Sequence, residues 1–433
     1  MQFVIDDSEF GTETRHFRTI LSVIKWTCKV LGQEFRVDVI GDYKTGHVAD
    51  PGLPGRLADL NATWQLRGEM VTEGRSELIA WTQQQISGAY GRISSYLDAH
   101  EPDVLFVPGG VFGTSGIWFS EAQRRSIRFA SYDAGTAGVM IVAGNGIACH
   151  LADIPGAYAA ICKEVDAEPA MKARILEIAR SEIARRQAGT DMFQYQIADG
   201  TVTVSGRSSI VLALNSSWDA AALGPHQVFP DSKAWIRHTV ETVLRDTSLD
   251  VIIRQHPAER FSFGRTSDDY HGFIHHHFGV EPRIHFIAAA DPVNSYELMA
   301  DAAAIVTHTS TIGIEAVIAG CPVITGSRSY YSNMGFVTAA DTIEAYDRAI
   351  AAAAAGMLLV EASQREAALI AYYSSQCCNW VKTEFNPAEF RKWWGRHLAD
   401  IGADPVVDDV LRCFAEGVPY SVIQHHGQMQ HLQ

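Results

Sequence analysis

The sequence predicts an α/β protein of two parallel-sheet domains with further helices towards its C-terminal end. Three observations predict it. The chain has 433 residues, more than one core usually holds at roughly 100–200 residues per domain. Short β-branched runs alternate with helix-period segments in both halves, the pattern of strands joined by crossover helices. Finally, residues Ala304–Gly326 (AIVTHTSTIGIEAVIAGCPVITG) read as strand, hydroxyl-rich turn, helix and strand in one stretch.

In the first half, Phe17–Leu31 has a helical pattern, Phe35–Ile40 a strand pattern and Glu77–Ala99 the pattern of a long helix. Val104–Pro108 is a buried strand opening on Gly109, Gly110 and Gly113. Ile127–Tyr132 is a strand ending at Asp133-Ala134-Gly135, and Val139–Ala143 is a strand before Gly144-Asn145-Gly146. This alternation predicts a parallel-type sheet. Val165–Gln187 reads as one charged amphipathic helix, and the polar, turn-rich segment Ala188–Arg207 as the connection between domains. The expected division is 1–200, 205–385 and a helical tail, 386–433, crossing back to the first domain.

The second half restarts with the strand Ser209–Leu214, the helix Asp231–Arg245 and the strands Val251–Arg254 and Ile284–Ile287. Val251–Arg254 runs into Gln255-His256-Pro257, where Pro257 stops the ladder and turns the chain away. Ala304–Val306 is followed by Thr307, Thr309, Ser310 and Thr311. A helix then begins; Gly313 allows a ligand to approach the backbone, and Gly320-Cys321-Pro322 ends the helix before Val323–Thr325. Free N–H groups and the positive dipole end at a helix start, together with hydroxyls, suit one phosphate. Glu315, in the same first turns, suits two adjacent ribose hydroxyls. Ligands of open parallel sheets sit outside the carboxyl ends of the strands, the edge shared by His256 and Ser310. Beyond Thr342 the pattern is helical through Ala355, then near Ser363–Ser374, Pro387–Leu398 and Pro405–Phe414, the last with Asp404 as its cap.

Charge and composition exclude several classes. A formal net charge of −15 without clustered Lys and Arg argues against nucleic-acid binding. Seven cysteines with no CxxC pair suit reduced thiols in a cytoplasm. No apolar run reaches the roughly 18 residues of a membrane span, and no N-terminal signal pattern is present, so a soluble cytoplasmic protein is expected. Phe390–His397 (FRKWWGRH) reads first as an amphipathic helix packing its tryptophans on the body, with peripheral attachment to the inner membrane as the alternative. The pairs Asp6-Asp7, Asp268-Asp269 and Asp408-Asp409 read as solvated loop charge. His275-His276-His277 cannot all face one ion on regular structure, so no metal site is expected.

The ordered set His256-Pro257, then Ser310-Thr311 with Gly313 and Glu315, resembles the motifs of bacterial capsule polysaccharide synthesis proteins, in particular retaining β-Kdo glycosyltransferases that use CMP-Kdo. It is also similar to the HP and Ser/Thr motifs of bacterial sialyltransferases. The family's strand followed by Q-x-x-x-D corresponds to Val211–Leu214 and Asn215-Ser216-Ser217-Trp218-Asp219, with Asn215 in place of glutamine. Its acidic-Gly motif has Asp133-Ala134-Gly135 as nearest equivalent. The resemblance implies a GT-B-like arrangement, two Rossmann-type domains facing a central cleft with C-terminal helices. It further implies transfer of Kdo or a related ulosonic acid to a saccharide or glycolipid acceptor in capsule, lipopolysaccharide or O-antigen synthesis.

A CMP-activated sugar carries one phosphate, so fixed donors can replace a metal, and no cofactor beyond the CMP-Kdo donor is expected. Ser310, Thr311, His256 and the helix start are the expected donors. By the resemblance, Asp219 is the candidate nucleophile and Asp133 the candidate general base, with Asp231 as rival nucleophile, although Pro230-Asp231-Ser232 reads first as a helix cap. Arg254 and Arg328 are candidates for the donor's carboxylate or base. A UDP-sugar transferase or sugar-nucleotide 2-epimerase of the same fold, and a non-catalytic nucleotide-binding scaffold, stand as the alternatives.

Overall fold

The structure, a computed structural model, describes residues 2–5, 36–134, 139–197, 208–393 and 395–430. The expected helix Phe17–Leu31, Asp6-Asp7, Gly135 and residues 198–207 of the expected connection lie outside them. Chain contacts divide the protein into two compact units, Met1–Ala62 with Thr72–Ala130, and Thr63–Val71 with Ser131–Gln433.

In the first unit, β1 (Gln2–Ile5) pairs in parallel with β2 (Arg36–Val39). The helix Leu53–Leu66 and the long helix Arg75–His100 follow, then β3 (Val104–Pro108) and the helix Gly113–Arg124. Ile86, Ile93 and Leu97 recur at helical spacing and bury one stripe of the long helix against Leu57, Ile117 and Trp118. Inside it the Glu121 carboxylate accepts from Tyr90 and pairs with Arg124 and Arg125. Those guanidinium partners outweigh the burial of Glu121 and hold its pKa below the usual range.

β4 (Arg128–Ala134) passes into the second unit, where it pairs with β5 (Val139–Ala143). The pairing is antiparallel, Asp133 opposite Ile141, and β12 (Val381–Lys382) joins β5 antiparallel on its other side. The sequence reading of a parallel-type sheet fails here, since only residues 135–138 connect the two strands and a parallel crossover needs a dozen or more. The expected single helix over 165–187 is likewise two helices, Ile154–Ala167 and Pro169–Gln187. Glu168 is extended (φ −131°) and Pro169 opens the second helix, where its missing N–H is harmless.

The rest of the second unit is a six-stranded sheet, all of whose recorded pairings are parallel: β6 (Ser209–Ala213), β7 (Asp250–Arg254), β8 (Ile284–Ile287), β9 (Ala302–Thr307), β10 (Val323–Thr325) and β11 (Thr338–Ala339). Their spatial order is β11-β10-β9-β6-β7-β8. The chain winds outward from β6 through β7 and β8, then restarts at β9 on the other side of β6. That is the doubly wound Rossmann order, whose switch point lies between β6 and β9. Strands β6 and β7 are buried along their whole length, because helices cover both faces. Ile210, Leu212, Val251 and Ile253 face Trp235, Val240 and Val243 of the helix Ser232–Asp246; Val211 and Ile252 face the opposite layer with Ile314 and Val317.

The helix Pro405–Glu416 brings Val410 and Cys413 onto Met140 and Val142 of β5, and the helix Tyr420–Gln430 lies beside Ile154–Ala167. The predicted helix over 387–398 is broken into a 3-10 turn Pro387–Glu389 and a single turn Phe390–Trp393, where the Trp393 indole donates to the Asn386 carbonyl and meets the Phe385 ring edge-on. Among the described residues no helix is long and apolar enough to cross a membrane.

Asp268, read from sequence as solvated loop charge, is buried. Its carboxylate accepts the backbone N–H groups of Glu69 (3.0 Å) and Met70 (2.7 Å) and the Ser217 hydroxyl (2.5 Å), fixing residues 63–71 onto the second unit. Asp269 caps the helix Tyr270–Phe278 by accepting from Gly272 N–H. Asp268→Ala strands two backbone donors and a hydroxyl in the interior. We expect it to lower stability by about 2–4 kcal/mol in urea denaturation, against about 1 kcal/mol for Asp269→Ala.

Candidate functional site at the switch point of the second unit

Residue 215 sits just past β6 and residue 309 just past β9, so the switch point brings them together. The Asn215 amide donates to Thr309 Oγ1 (3.1 Å) and its carbonyl accepts from Thr309 N–H (3.2 Å), while the Thr309 hydroxyl donates to the Ala221 carbonyl (3.2 Å). This clasp forms one edge of a cavity of about 440 Å³. Asp133, Asp219, Arg254, His256, Pro257, Ser310, Thr311, Glu315 and Arg328 all line it, together with Cys149, His150, Arg186, Trp218 and Tyr296. Every lining residue belongs to the second unit. Of the residues singled out in the sequence, Gly313 and Asp231 are not among them. Asp231 Oδ1 accepts from Ala234 N–H (2.7 Å) as the cap of Ser232–Asp246.

Two carboxylates occupy one part of the wall. Asp133 projects from β4, and Asp219 follows β6 in a loop held by His150, whose Nε2–H reaches the carbonyls of Ala220 (3.1 Å) and Leu223 (2.9 Å). Burial raises the Asp133 pKa to about 6, and the Asp219 charge adds to the rise. Asp219 is open to the cavity, but the walls around it raise its pKa as well; the Ala221 N–H (3.0 Å) and the nearby His150 oppose the shift. Two carboxyl groups within each other's field resist being ionised together, which separates their protonation states. Burial and the Asp133 and Asp219 charges hold Cys149, beside Asp133, as a thiol.

His256, Ser310 and Thr311 contribute neutral polar groups to the same cavity. His256 Nδ1 accepts from Ala258 N–H (3.2 Å), which places the ring proton on Nε2. Burial, with the Arg186 and Arg254 charges, lowers its pKa to about 4, so the imidazole is a neutral donor. Ser310 precedes the helix Ile312–Ala319; its hydroxyl oxygen is 3.4 Å from Ile312 N, and Thr311 occupies the N-cap without a side-chain cap bond. Gly320 ends that helix, as the sequence predicts, and does so in the left-handed conformation at φ 92°.

Several predicted contacts have partners inside the protein. The Arg254 guanidinium donates to the carbonyls of Ala288 and Val293 (3.1 Å) and approaches Ser295, and burial lowers its pKa to about 10. Glu315 accepts the Tyr296 hydroxyl (3.0 Å) and lies 3.8 Å from Arg186 Nε; burial still raises its pKa. The expected close ligand approach at Gly313 does not account for its glycine: a Cβ there would meet the Tyr331 hydroxyl at 2.5 Å, so packing of the protein against itself requires it. Arg328 is exposed, and its side chain has no hydrogen bond or ion pair among the described residues.

Sequence reasoning passed over Arg186, Tyr296, Trp218 and the Cys149-His150 turn. Arg186 ends the helix Pro169–Gln187 as one charge among many, and nothing local marks it as buried. Its NH2 donates to Gln196 (2.7 Å), and the guanidinium stacks on Phe193 at 4.8 Å. Glu315, Tyr296 and Asp191 outweigh the burial that disfavours the Arg186 charge, so its pKa rises. The Trp218 indole N–H is buried with no hydrogen-bond partner among the described residues, and Arg67 stacks on that ring at 4.4 Å. The Cys149-His150 turn carried one signal, its position after strand β5.

Residues 171–374, just under half of the chain, match the model of the capsule polysaccharide biosynthesis protein family. No curated protein matches the chain. Among solved structures, the beta Kdo 2,4 transferase of Thermosulfurimonas dismutans KpsC is similar at 12% identity, covering 63% of this chain and 80% of that one, with a TM-score of 0.40. The beta Kdo 2,7 transferase of the same KpsC gives 15% identity, 65% and 79% coverage and a TM-score of 0.38. The Methanocaldococcus jannaschii UDP-GlcNAc 2-epimerase in complex with UDP-GlcNAc and UDP gives 13%, 86% and 98%, and 0.28. Likenesses this distant carry no substrate or mechanism to the present chain.

The raised Asp133 pKa has a consequence for stability. In the unfolded chain an aspartate titrates near about 3.9, so between that value and about 6 the folded state holds the extra proton. Protonated Asp133 favours the fold below the lower value, and that contribution is lost as pH rises through the upper one. Asp133→Asn is expected to melt several degrees above the parent at neutral pH, with the gain vanishing in acid below the lower value. Scanning calorimetry at the two pH values checks this.

Proposed function

We propose, from a chain that carries the segment of the capsule polysaccharide biosynthesis family, that this protein is a glycosyltransferase moving Kdo or a related ulosonic acid from its CMP form to a saccharide acceptor. One observation carries the reading: Asp133 and Asp219 line the same cavity as His256, Ser310 and Thr311, at the switch point of a Rossmann-type sheet. Carboxylates and an anion-binding edge in one enclosure of about 440 Å³ suit an activated sugar whose leaving group is a phosphate. Cavity shape alone favours no particular nucleotide. The monophosphate comes from the motif resemblance, and the fixed neutral donors are in keeping with it.

In this reading Ser310, Thr311 and the His256 Nε2–H hold the phosphate. Arg328, exposed beside the cavity, pairs with the sugar's own carboxylate. Asp219 attacks the anomeric carbon, the bond to the phosphate oxygen breaks, and CMP leaves with that electron pair. Asp133 then takes the proton of the acceptor hydroxyl as it displaces Asp219, giving net retention through two inversions. A base with a pKa of about 6 is largely ionised at neutral pH yet still strong enough to accept a proton. Glu315, beside Tyr296, accepts from the ribose hydroxyls in this reading. The acceptor is a saccharide or glycolipid of the bacterial envelope.

Purified protein is expected to consume CMP-Kdo, and Asp219→Ala to lose transfer by at least about a thousandfold while still binding CMP. Undiminished transfer by that variant removes Asp219 from the mechanism. Thermal shift separates the donors: CMP at 100 times its dissociation constant stabilises by about 2.7 kcal/mol, whereas UDP at the same concentration leaves the melting temperature unchanged. The rate should fall in acid as Asp133 becomes protonated. Asp133→Asn should abolish that limb along with the transfer step.

A further inference from the structure

We propose that Glu164, His425 and His426 form a binding site for a divalent transition-metal ion of the zinc class, fastening the last helix to the body of the second unit. None of the three lines the cavity described above. Glu164 lies on the helix Ile154–Ala167, and both histidines lie on Tyr420–Gln430. His426 Nε2 is 3.0 Å from Glu164 Oε1, and His425 Nε2 is 3.3 Å from Glu164 Oε2. All three ligand atoms fall within 4.8 Å of one another. Bonds of about 2.0 Å in tetrahedral geometry put ligand atoms about 3.3 Å apart, so one ion fits among these atoms with little movement.

The proton count around His425 is the independent argument. This side chain is fully buried, and among the described residues its Nε2 has no well-formed hydrogen bond, only the 3.3 Å approach to Glu164 Oε2. Its other nitrogen, Nδ1, is 3.1 Å from the Tyr373 hydroxyl, which itself donates to Gln428 Oε1 (3.2 Å). With the Tyr373 proton engaged there, the bond between His425 and Tyr373 requires Nδ1 to carry a proton and donate it. A neutral His425 therefore presents an Nε2 lone pair towards a carboxylate oxygen. Two lone pairs at this separation repel, unless a cation lies between them. A proton on Nε2 is the alternative occupant, and it would leave an ordinary ion pair with Glu164. A metal ion satisfies the carboxylate and both imidazoles at once.

The path from Nδ1–H through Tyr373 to Gln428 is the kind of outer hydrogen-bond chain that orients metal-bound histidines. Two imidazoles and a carboxylate select zinc, cobalt or nickel over calcium or magnesium, which prefer oxygen alone. His426 is exposed, so the ion has a route of entry and a position open to solvent. Joining residues 164 and 425–426 ties the end of the chain to a helix far back in sequence. The role inferred is therefore structural.

The test uses the full chain, stripped with a chelator and titrated with zinc chloride by calorimetry, then with cobalt chloride by visible absorption. One tight equivalent of zinc and cobalt d–d bands of a site with few ligands are expected. Glu164→Gln and His426→Asn, both at partly or fully exposed positions that should fold normally, are expected to weaken that equivalent by at least about tenfold, as is Tyr373→Phe acting through His425. Zinc should raise the melting temperature of the parent and leave that of His426→Asn unchanged. His275–His277 contribute the same background in every protein. Superimposable titrations of parent and variants, or a parent with no tight equivalent, overturn the proposal and leave an ordinary ion pair at this position.

Discussion

The interaction on which the site depends is the pair of hydrogen bonds between Asn215 and Thr309. In a doubly wound sheet the helices leaving adjacent central strands turn to opposite faces, and a crevice opens where they part. Asn215 and Thr309 join its two sides along one edge. From one side of the clasp the chain continues to Asp219, and from the other to Ser310 and the helix Ile312–Ala319. The Asp219 loop and the Ser310 turn thus take their separation from the spacing of two neighbouring strands, about 4.8 Å in any sheet. Asn215 stands where the family resemblance expects glutamine, and the shorter side chain is fully engaged with Thr309 and so braces the crevice.

Charge is distributed around the cavity so that most of it is neutralised locally. Arg186 faces Glu315 and Asp191, Arg254 is enclosed by backbone carbonyls, and His256 is neutral. These groups are held by partners inside the protein, which is what preorganised stabilisation requires. Uncompensated carboxylates sit apart, at Asp133 and Asp219, where burial raises both pKa values. On an acidic protein of net charge −15, a negatively charged substrate needs such local shielding to approach at all.

Much of this was legible in the chain. Strand periodicity located β3, β5, β7, β8 and β10, and the 304–326 stretch announced its own turn and helix, because local hydrogen bonding and alternation set these features. His256 and Ser310 could be assigned to one edge because both follow strands. What escaped was set by partners distant in sequence. Arg186 becomes a cavity residue only through Glu315, and Asp268 is buried only because residues 63–71 come to lie on it. The antiparallel run of β4 and β5 hangs on the shortness of their connection, while Pro169 was a break signal in plain view. Gly313 shows the opposite error: a residue type that suits a ligand was conscripted by Tyr331.

The Tyr331 contact links two parts of the cavity rim. The Tyr331 hydroxyl donates to the Ser310 carbonyl (2.7 Å), its ring fills the space left by Gly313, and its own loop carries Arg328. The Ser310 turn and the loop bearing Arg328 are therefore one mechanical body. Exchanging either segment alone would import a mismatched half, so a graft has to move residues 307–332 as a single cassette.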